Sequence, residues 1–298
     1  MAVRDDNAGA RPRPIRVRRA CRLLLAGALA VVLTGCMAGF VYKRLDWVVS
    51  WYVNGLVSLD DAQEKQLRAA VRGALQWHRD VQIPAYLALL EQIGREVAEP
   101  VTPQALERHY QSMTVLLDEF WRRVIPDAAA LLRTLDPGQV AELRDNFAEG
   151  NEELREMYSG TTPEIRRERR KRSTIRAIQR FTGRLTGAQR NLIGMHLAQM
   201  QDVSEQWLER RWHWQERILV LVRDPPPEPG FSAALLDMAL NPNQFDSPDY
   251  RRQVELNRAV IMAMLAEVLN GLDARQRRRL QNKLSGFADD LRGLDAGG

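Results

Sequence analysis

The side chains that could do chemistry in this 298-residue chain are few: four histidines (His78, His109, His196, His213), two cysteines (Cys21, Cys36) and one arginine-rich run. A zinc site wants histidines three or four residues apart on one helix face, completed by a carboxylate or thiolate. No two of these histidines are so spaced, and H-E-x-x-H does not occur, so a preformed zinc site is not expected. Met195-His196 with Met200 offers soft donors, but methionine on an amphipathic helix is ordinary packing. G-x-S-x-G, the phosphate-binding Walker loop and the dinucleotide fingerprint do not occur either. Adjacent carboxylates such as Glu152 and Glu153 lie among arginines, where exposed pairing along a helix accounts for them. No catalytic residue, cofactor or metal ligand is assigned, and the chain is read as a non-enzyme.

Cys36 is the exception, because its neighbours give its sulfur a purpose. Arg16 to Arg22 form a positive segment, and Leu23 to Leu33 supply an apolar run of eleven residues. At 1.5 Å per residue that run falls short of a bilayer core of about 30 Å, so it reads as the apolar part of a secretory signal peptide. Leu33-Thr34-Gly35-Cys36 resembles the bacterial lipobox, which implies cleavage before Cys36 and acylation of its sulfur and amine. Cys21 then leaves with residues 1–35, and the mature chain has no free thiol and no disulfide. Several acyl chains on one cysteine hold a protein firmly, since each buried methylene contributes about 0.8 kcal/mol. Met37 and Ala38 follow, and neither is the aspartate that retains many lipoproteins on the inner membrane. The resemblance therefore implies an outer-membrane lipoprotein facing the periplasm, its membrane partner reached through diacylglyceryl and acyl groups (palmitate) on Cys36.

The same segment explains the charge. Residues 1–35 hold seven arginines and two aspartates, a net +5 that equals the whole chain's +5, so the remainder is neutral. A sequence pI near 9.5 thus belongs to the leader and does not point to nucleic acid.

From residue 58 onward the pattern is a helix-start signal followed by apolar residues three and four apart. Thr102-Pro103, Asp136-Pro137, Thr162-Pro163 and Ser247-Pro248 place a capping side chain before a proline, whose missing N–H costs nothing at the first helical position. The spacing predicts helices at about 41–57, 61–98, 103–134, 137–159, 163–184, 187–223, 232–241, 248–271 and 274–292, with kinks or breaks near Pro84 and Pro126. The fold class expected is all-α: an elongated bundle of about eight or nine helices behind a lipoprotein signal peptide. Its expected divisions are the signal peptide 1–35, a lipid-anchored aromatic segment 36–58, a main helical body 59–224, a proline-rich linker 225–230 and a C-terminal helical hairpin 231–298.

Four helix starts share one pattern, L-[DT]-x-x-Q-x-x-x-[LI]: Leu59 to Gln63 with Leu67, Leu135 to Gln139 with Leu143, Leu185 to Gln189 with Ile193, and Leu272 to Gln276 with Leu280. Read locally, Asp or Thr caps and Gln reaches back, as in a capping box. The pattern is also similar to the L-T-x-x-Q signature of the Spy/CpxP-type periplasmic chaperones, which would imply client binding; Leu185 to Gln189 matches it literally. Taken whole, with Tyr42-Lys43-Arg44-Leu45-Asp46-Trp47, Trp51-Tyr52-Val53 and Trp77-His78-Arg79 with Pro84, the chain resembles an uncharacterised lipoprotein family of Gram-negative bacteria. That resemblance implies a cell-envelope location and no assigned activity.

Three surfaces are candidates for binding. Phe40, Tyr42, Trp47, Trp51 and Tyr52 follow the lipidated cysteine closely, and either rest at headgroup level or belong to a stripe (Leu45, Val48, Val49, Tyr52, Leu56) docked on the body. Trp207, Arg211, Trp214 and Ile218 share a helix face that is core or a partner groove. Arg166, Arg167, Arg169, Arg170, Lys171 and Arg172 form either a solvated face or an anion-binding site for envelope polymers or lipid headgroups. The expected function is a non-enzymatic binding, scaffold or chaperone-like protein with envelope proteins or anionic envelope polymers as partners; an envelope hydrolase or a structural spacer is the alternative. Replacing the acylated sulfur tests the premise: Cys36→Ser is expected to abolish fatty-acid labelling in cells, and continued labelling of that variant refutes the assignment.

Overall fold

The computed structural model describes residue 42 and residues 44–295, and among these there is helix and no strand. The helices are α1 (Leu45–Asn54), α2 (Asp61–Trp77), a π-helical turn (His78–Gln82), α3 (Ile83–Glu96), α4 (Pro103–Leu132), α5 (Pro137–Ser159), α6 (Pro163–Thr182), α7 (Gly187–Ala198), α8 (Ser204–Arg223), α9 (Gly230–Leu240), α10 (Pro248–Asn270) and α11 (Ala274–Asp295). The predicted caps are made. Thr102, Thr162 and Ser247 accept the backbone N–H three residues on, each followed by a proline at the first helical position. Asp60, Asp136 and Thr186 each form a full capping box with Gln63, Gln139 and Gln189.

The chain runs back and forth between two ends. One end is built on Val57, Leu143 and Leu219, next to a cluster of Ala129, Leu221, Val222, Phe231, Leu235 and Met238, with Leu135 packed against both. The opposite end is built on Val97, Val101, Ala105, Leu185, Ile193, Leu197, Met264, Val268, Leu272 and Leu280. The turns at 97–102, 183–186 and 271–273 gather at this second end, and those at 55–60, 133–136 and 224–229 at the first. Only α4 makes the crossing as one unbroken helix among the described residues; the other passes change helix near the middle, at 78–82, 160–162, 199–203 and 241–247.

Each break has a local cause. Pro84 has no N–H to offer Asp80, and the preceding turn widens so that the Ile83 N–H reaches the His78 carbonyl five residues back. Fully buried Gln82 fixes this turn by donating to the Leu116 carbonyl (2.6 Å) and accepting from the Tyr86 hydroxyl (2.9 Å). The helix expected over 187–223 is two helices. Asn257 takes both backbone groups of Gln201, at 2.8 and 3.0 Å, and Asp202 accepts from the Ser204 N–H and hydroxyl, so the backbone between α7 and α8 has better partners than a helical ladder. Pro126, expected to bend or stop its helix, lies inside a continuous α4.

The run Asp224 to Pro229 is non-helical, as its prolines require, but it is no boundary between cores. Phe231, Leu235 and Met238 on its far side pack with Leu221 and Val222 on its near side. Beyond it, α10 packs on α7 and α4 while α11 packs on α3 and α6. The expected C-terminal hairpin is therefore not a unit of its own, because its apolar faces are completed by the earlier helices. Asn270 adds a polar tie, donating to the Val101 carbonyl and accepting from the Val101 N–H.

Ile193, fully buried in the second-end core, tests this arrangement: Ile193→Ala is expected to lower unfolding free energy by about 2–5 kcal/mol in denaturant titration, the cost of a large-to-small change that leaves a cavity.

Candidate functional site

The four Gln-bearing helix starts meet in two pairs. At the first end Gln63 Nε2 donates to Gln139 Oε1 (3.0 Å) and Gln139 Nε2 donates to Gln63 Oε1 (2.6 Å). At the second end Gln189 and Gln276 do the same, at 2.9 and 3.0 Å. Each amide also donates to a carbonyl two residues before the partner's cap: Gln63 to Thr134, Gln139 to Ser58, Gln189 to Gly271, Gln276 to Arg184. Each Oε1 accepts in addition from its own cap N–H, at Asp60, Asp136, Thr186 and Asp273. Two donors and two acceptor positions are thus filled on every one of these amides, which is all a side-chain amide has. Gln63, Gln189 and Gln276 are buried, so the saturation matters energetically.

The local reading of these motifs as capping boxes accounts for the oxygen of each Gln. The nitrogen was not legible, because its partner lies 76 or 87 residues away. Beside the second pair a shallow recess of about 290 Å³ is lined by Gln189, Leu192, Glu267, Val268 and Gln276.

The larger concavity is at the middle of the bundle, where α5 gives way to α6 and α7 to α8. This open cleft of about 630 Å³ is walled by Asn151, Arg155 and Tyr158 on one side and by Glu205, Leu208, Glu209 and Trp212 on the other, with Arg166 at its floor. Arg166 is held by the Asp202 carboxylate (2.7 Å) and by the carbonyls of Tyr158, at the end of α5, and Thr161, in the turn before α6. Burial pushes the Asp202 carboxyl up, but its hydrogen bonds from Ser204 and Arg166 outweigh this and hold it below the usual range. Asn151 bridges the cleft wall to α8, donating to buried Gln215 (2.7 Å) and accepting from Arg211 (3.1 Å). Arg166 stands in the basic run and Arg211 on the aromatic helix face, but Asn151, Asp202 and Gln215 stand in no motif, and only the fold brings the set together.

The basic run lies along α6 beside this cleft and divides by use. Arg166 is structural; Arg170 approaches Asp202 at 4.0 Å; Arg167 and Arg172 make exposed pairs with Glu164 and Glu168; Lys171 packs at Gly194; Arg169 is exposed. Exposed pairs of this kind contribute little and leave their guanidinium groups open to other anions.

The aromatic helix divides too. Trp214 and Ile218 pack in the first-end core, whereas Trp207 meets Tyr158 (6.4 Å between rings) and Trp212 is half exposed at the cleft. Three of the four histidines have polar structural partners, His109 with Glu96 (2.8 Å), His196 with Glu267 (3.3 Å) and His78 with the Tyr42 hydroxyl (3.1 Å), and His213 meets the Trp212 ring edge-on (4.9 Å). Burial, aided by Arg79, holds the His78 imidazole below its ordinary pKa, which favours the neutral form. Arg210 fixes the α9–α10 turn by donating to the Pro242 carbonyl and lies 3.0 Å from buried Asp246, whose carboxyl burial pushes up against the pull of Arg210 and Arg251. No group of three or more metal-ligating side chains occurs among the described residues. No described helix is long and apolar enough to cross a membrane. Cys36 lies outside the described residues.

Residues 55–251 match a family of unknown function, DUF6279. The chain belongs to that family. The DUF6279 match contains the whole first Gln pair and the cleft, but stops before Gln276, the partner of Gln189. No curated protein and no solved structure matches the chain.

The reciprocal pairs make a quantitative prediction. Gln189→Leu leaves the Gln276 amide and the Gly271 carbonyl short of partners in a buried site and is expected to cost about 1–3 kcal/mol. Adding Gln276→Leu should cost less than the sum of the two single changes, with a coupling of about 0.5–3 kcal/mol in a double-mutant cycle. Additive costs would show that the amides do not act as a pair.

Proposed function

We propose that this DUF6279 protein is an envelope lipoprotein, held through acylated Cys36 to the periplasmic leaflet of the outer membrane, that binds other envelope molecules without chemistry of its own and acts in a chaperone-like way on polypeptide clients. The observation that carries the binding part is the central cleft. Tyr158, Leu208 and Trp212 give it apolar surface, Asn151, Arg155, Glu205 and Glu209 give it both donors and acceptors, and it opens to solvent. A concave site of this mixture suits an extended polypeptide, whose backbone needs hydrogen-bond partners while its side chains need apolar cover. The exposed guanidinium groups of Arg167, Arg169 and Arg172 beside the cleft would add a salt-sensitive attraction for anionic segments or envelope polymers. The similarity of the Gln motifs to those of Spy/CpxP-type chaperones supports the same reading, and the lipobox supports the placement.

Purified protein without residues 1–35 should suppress aggregation of a denatured client at equimolar ratio, and Trp212→Ala should weaken that suppression without lowering thermal stability. Absence of suppression, or full suppression by the Trp212→Ala variant, overturns the assignment of clients to this cleft. Crosslinking in intact cells then identifies what is held.

A further inference from the structure

The first helix is docked on the body by one face and leaves the other bare. Ser50 and Val57 are buried, and Val53, Leu56 and Leu59 pack with Leu143, Leu219 and Phe147 at the first end. On the outward face Trp47 and Trp51, one turn apart, stack on each other at 6.4 Å between rings, and Trp47 is 61% exposed, the most exposed aromatic side chain among the described residues. The body partly covers Trp51 and leaves Trp47 largely bare. Large aromatic rings with a polar N–H are well suited to the boundary between headgroups and acyl chains, where the ring is dehydrated and the N–H keeps a partner.

The position of the tether says which surface can cover them. Just ahead of α1, the Tyr42 hydroxyl donates to the Leu75 carbonyl (3.0 Å) and meets His78 (3.1 Å), so the chain is fastened to the middle of the pass formed by α2, the π turn and α3. Cys36 precedes Tyr42 by six residues, which span at most about 21 Å fully extended. The pass from residue 61 to residue 96 is about 54 Å long at 1.5 Å per residue, so a bundle standing on either end would hold its midpoint about 27 Å or more from the membrane. The tether, with the Tyr42 side chain added, would reach that far only when stretched to its limit. A bundle lying on its side satisfies it, and the flank nearest the tether is the one that bears α1.

We infer that the outward face of α1, through the stacked Trp47 and Trp51, rests in the phospholipid headgroup layer and that the bundle lies along the membrane, tethered at its middle, instead of standing on one end. This rests on the acylation of Cys36 proposed above. The membrane is the occupant because the anchor is within reach of this face and the face carries interfacial side chains; a second copy of the chain would instead bury the pair without lipid.

The test uses acylated full-length protein purified from membranes and reconstituted into phosphatidylethanolamine and phosphatidylglycerol vesicles, with and without brominated phospholipid as a short-range quencher of tryptophan emission. The wild type should lose part of its emission to the brominated lipid, and that quenched component should be lost in the Trp47→Phe, Trp51→Phe double variant, whose melting curve should stay close to the wild type's because Trp47 is exposed and phenylalanine keeps an apolar ring at half-buried position 51. Unquenched emission in acylated wild type, or quenching that persists in the double variant, overturns the docking face and leaves the anchor standing. Quenching that needs no membrane contact, seen as concentration-dependent self-association of the wild type in detergent that the double variant lacks, also overturns it in favour of a second copy. Absence of fatty-acid label on Cys36 overturns the anchor itself, and the side-on orientation with it.

Discussion

A glutamine amide buried between two helix starts has four hydrogen-bonding positions to fill, and in this protein no single helix start can fill them. The capping box uses the oxygen once, on the cap N–H. The remaining acceptor position and both N–H groups need a second copy of the same turn, which supplies a glutamine oxygen, a glutamine N–H and a free carbonyl at matching places. This requirement decides which turns lie together. It joins the first copy to the second and the third to the fourth, and places one joined pair at each end of the bundle. An unfilled position in such a site costs about 1–3 kcal/mol, a substantial part of the 5–15 kcal/mol by which a domain is usually stable.

Around these two fastenings the chain distributes its apolar and polar burial unevenly. The apolar clusters lie at the ends, where Leu185 and Ile193 or Leu143 and Leu219 sit directly behind the paired turns. The breaks between them are held by side-chain amides and ion pairs: Gln82 on Leu116, Asn257 on Gln201, Asn151 on Gln215 and Arg166 on Asp202. Such contacts fix geometry while leaving room, and the cleft opens where α5, α6, α7 and α8 all end or begin. Placing the candidate binding surface at the middle thus follows from where the helices are interrupted.

Much of the helical framework was legible because its signals are local. A cap at Thr102, Thr162 or Ser247 with proline behind it needs only four residues to act, and the helix starts fall where those residues stand. What was not legible depends on partners far along the chain. The interruption after Ala198 is made by Asn257, 56 residues from the backbone it binds, and no proline or glycine marks it. Pro84 announces a disturbance, but whether it becomes a kink or a widened turn depends on Gln82 finding the Leu116 carbonyl. The proline run after Asp224 reads as a divider, yet Phe231 reaches back across it into the same cluster as Leu221. In the candidate site the arginines of α6 were visible as a run, while their division into structural and exposed members was set by Asp202 and Gly194, which belong to other elements.

The second fastening joins Gln189 to Gln276, 87 residues further along and beyond the stretch that matches the family. During synthesis the third motif therefore emerges long before its mate, and the far end of the bundle stays open until Gln276 has been delivered. The first pair is available much sooner, once Gln139 has emerged. Closure is accordingly directional, and shortening the chain at the boundary of the recognised family would remove the latch from one end while leaving the other intact.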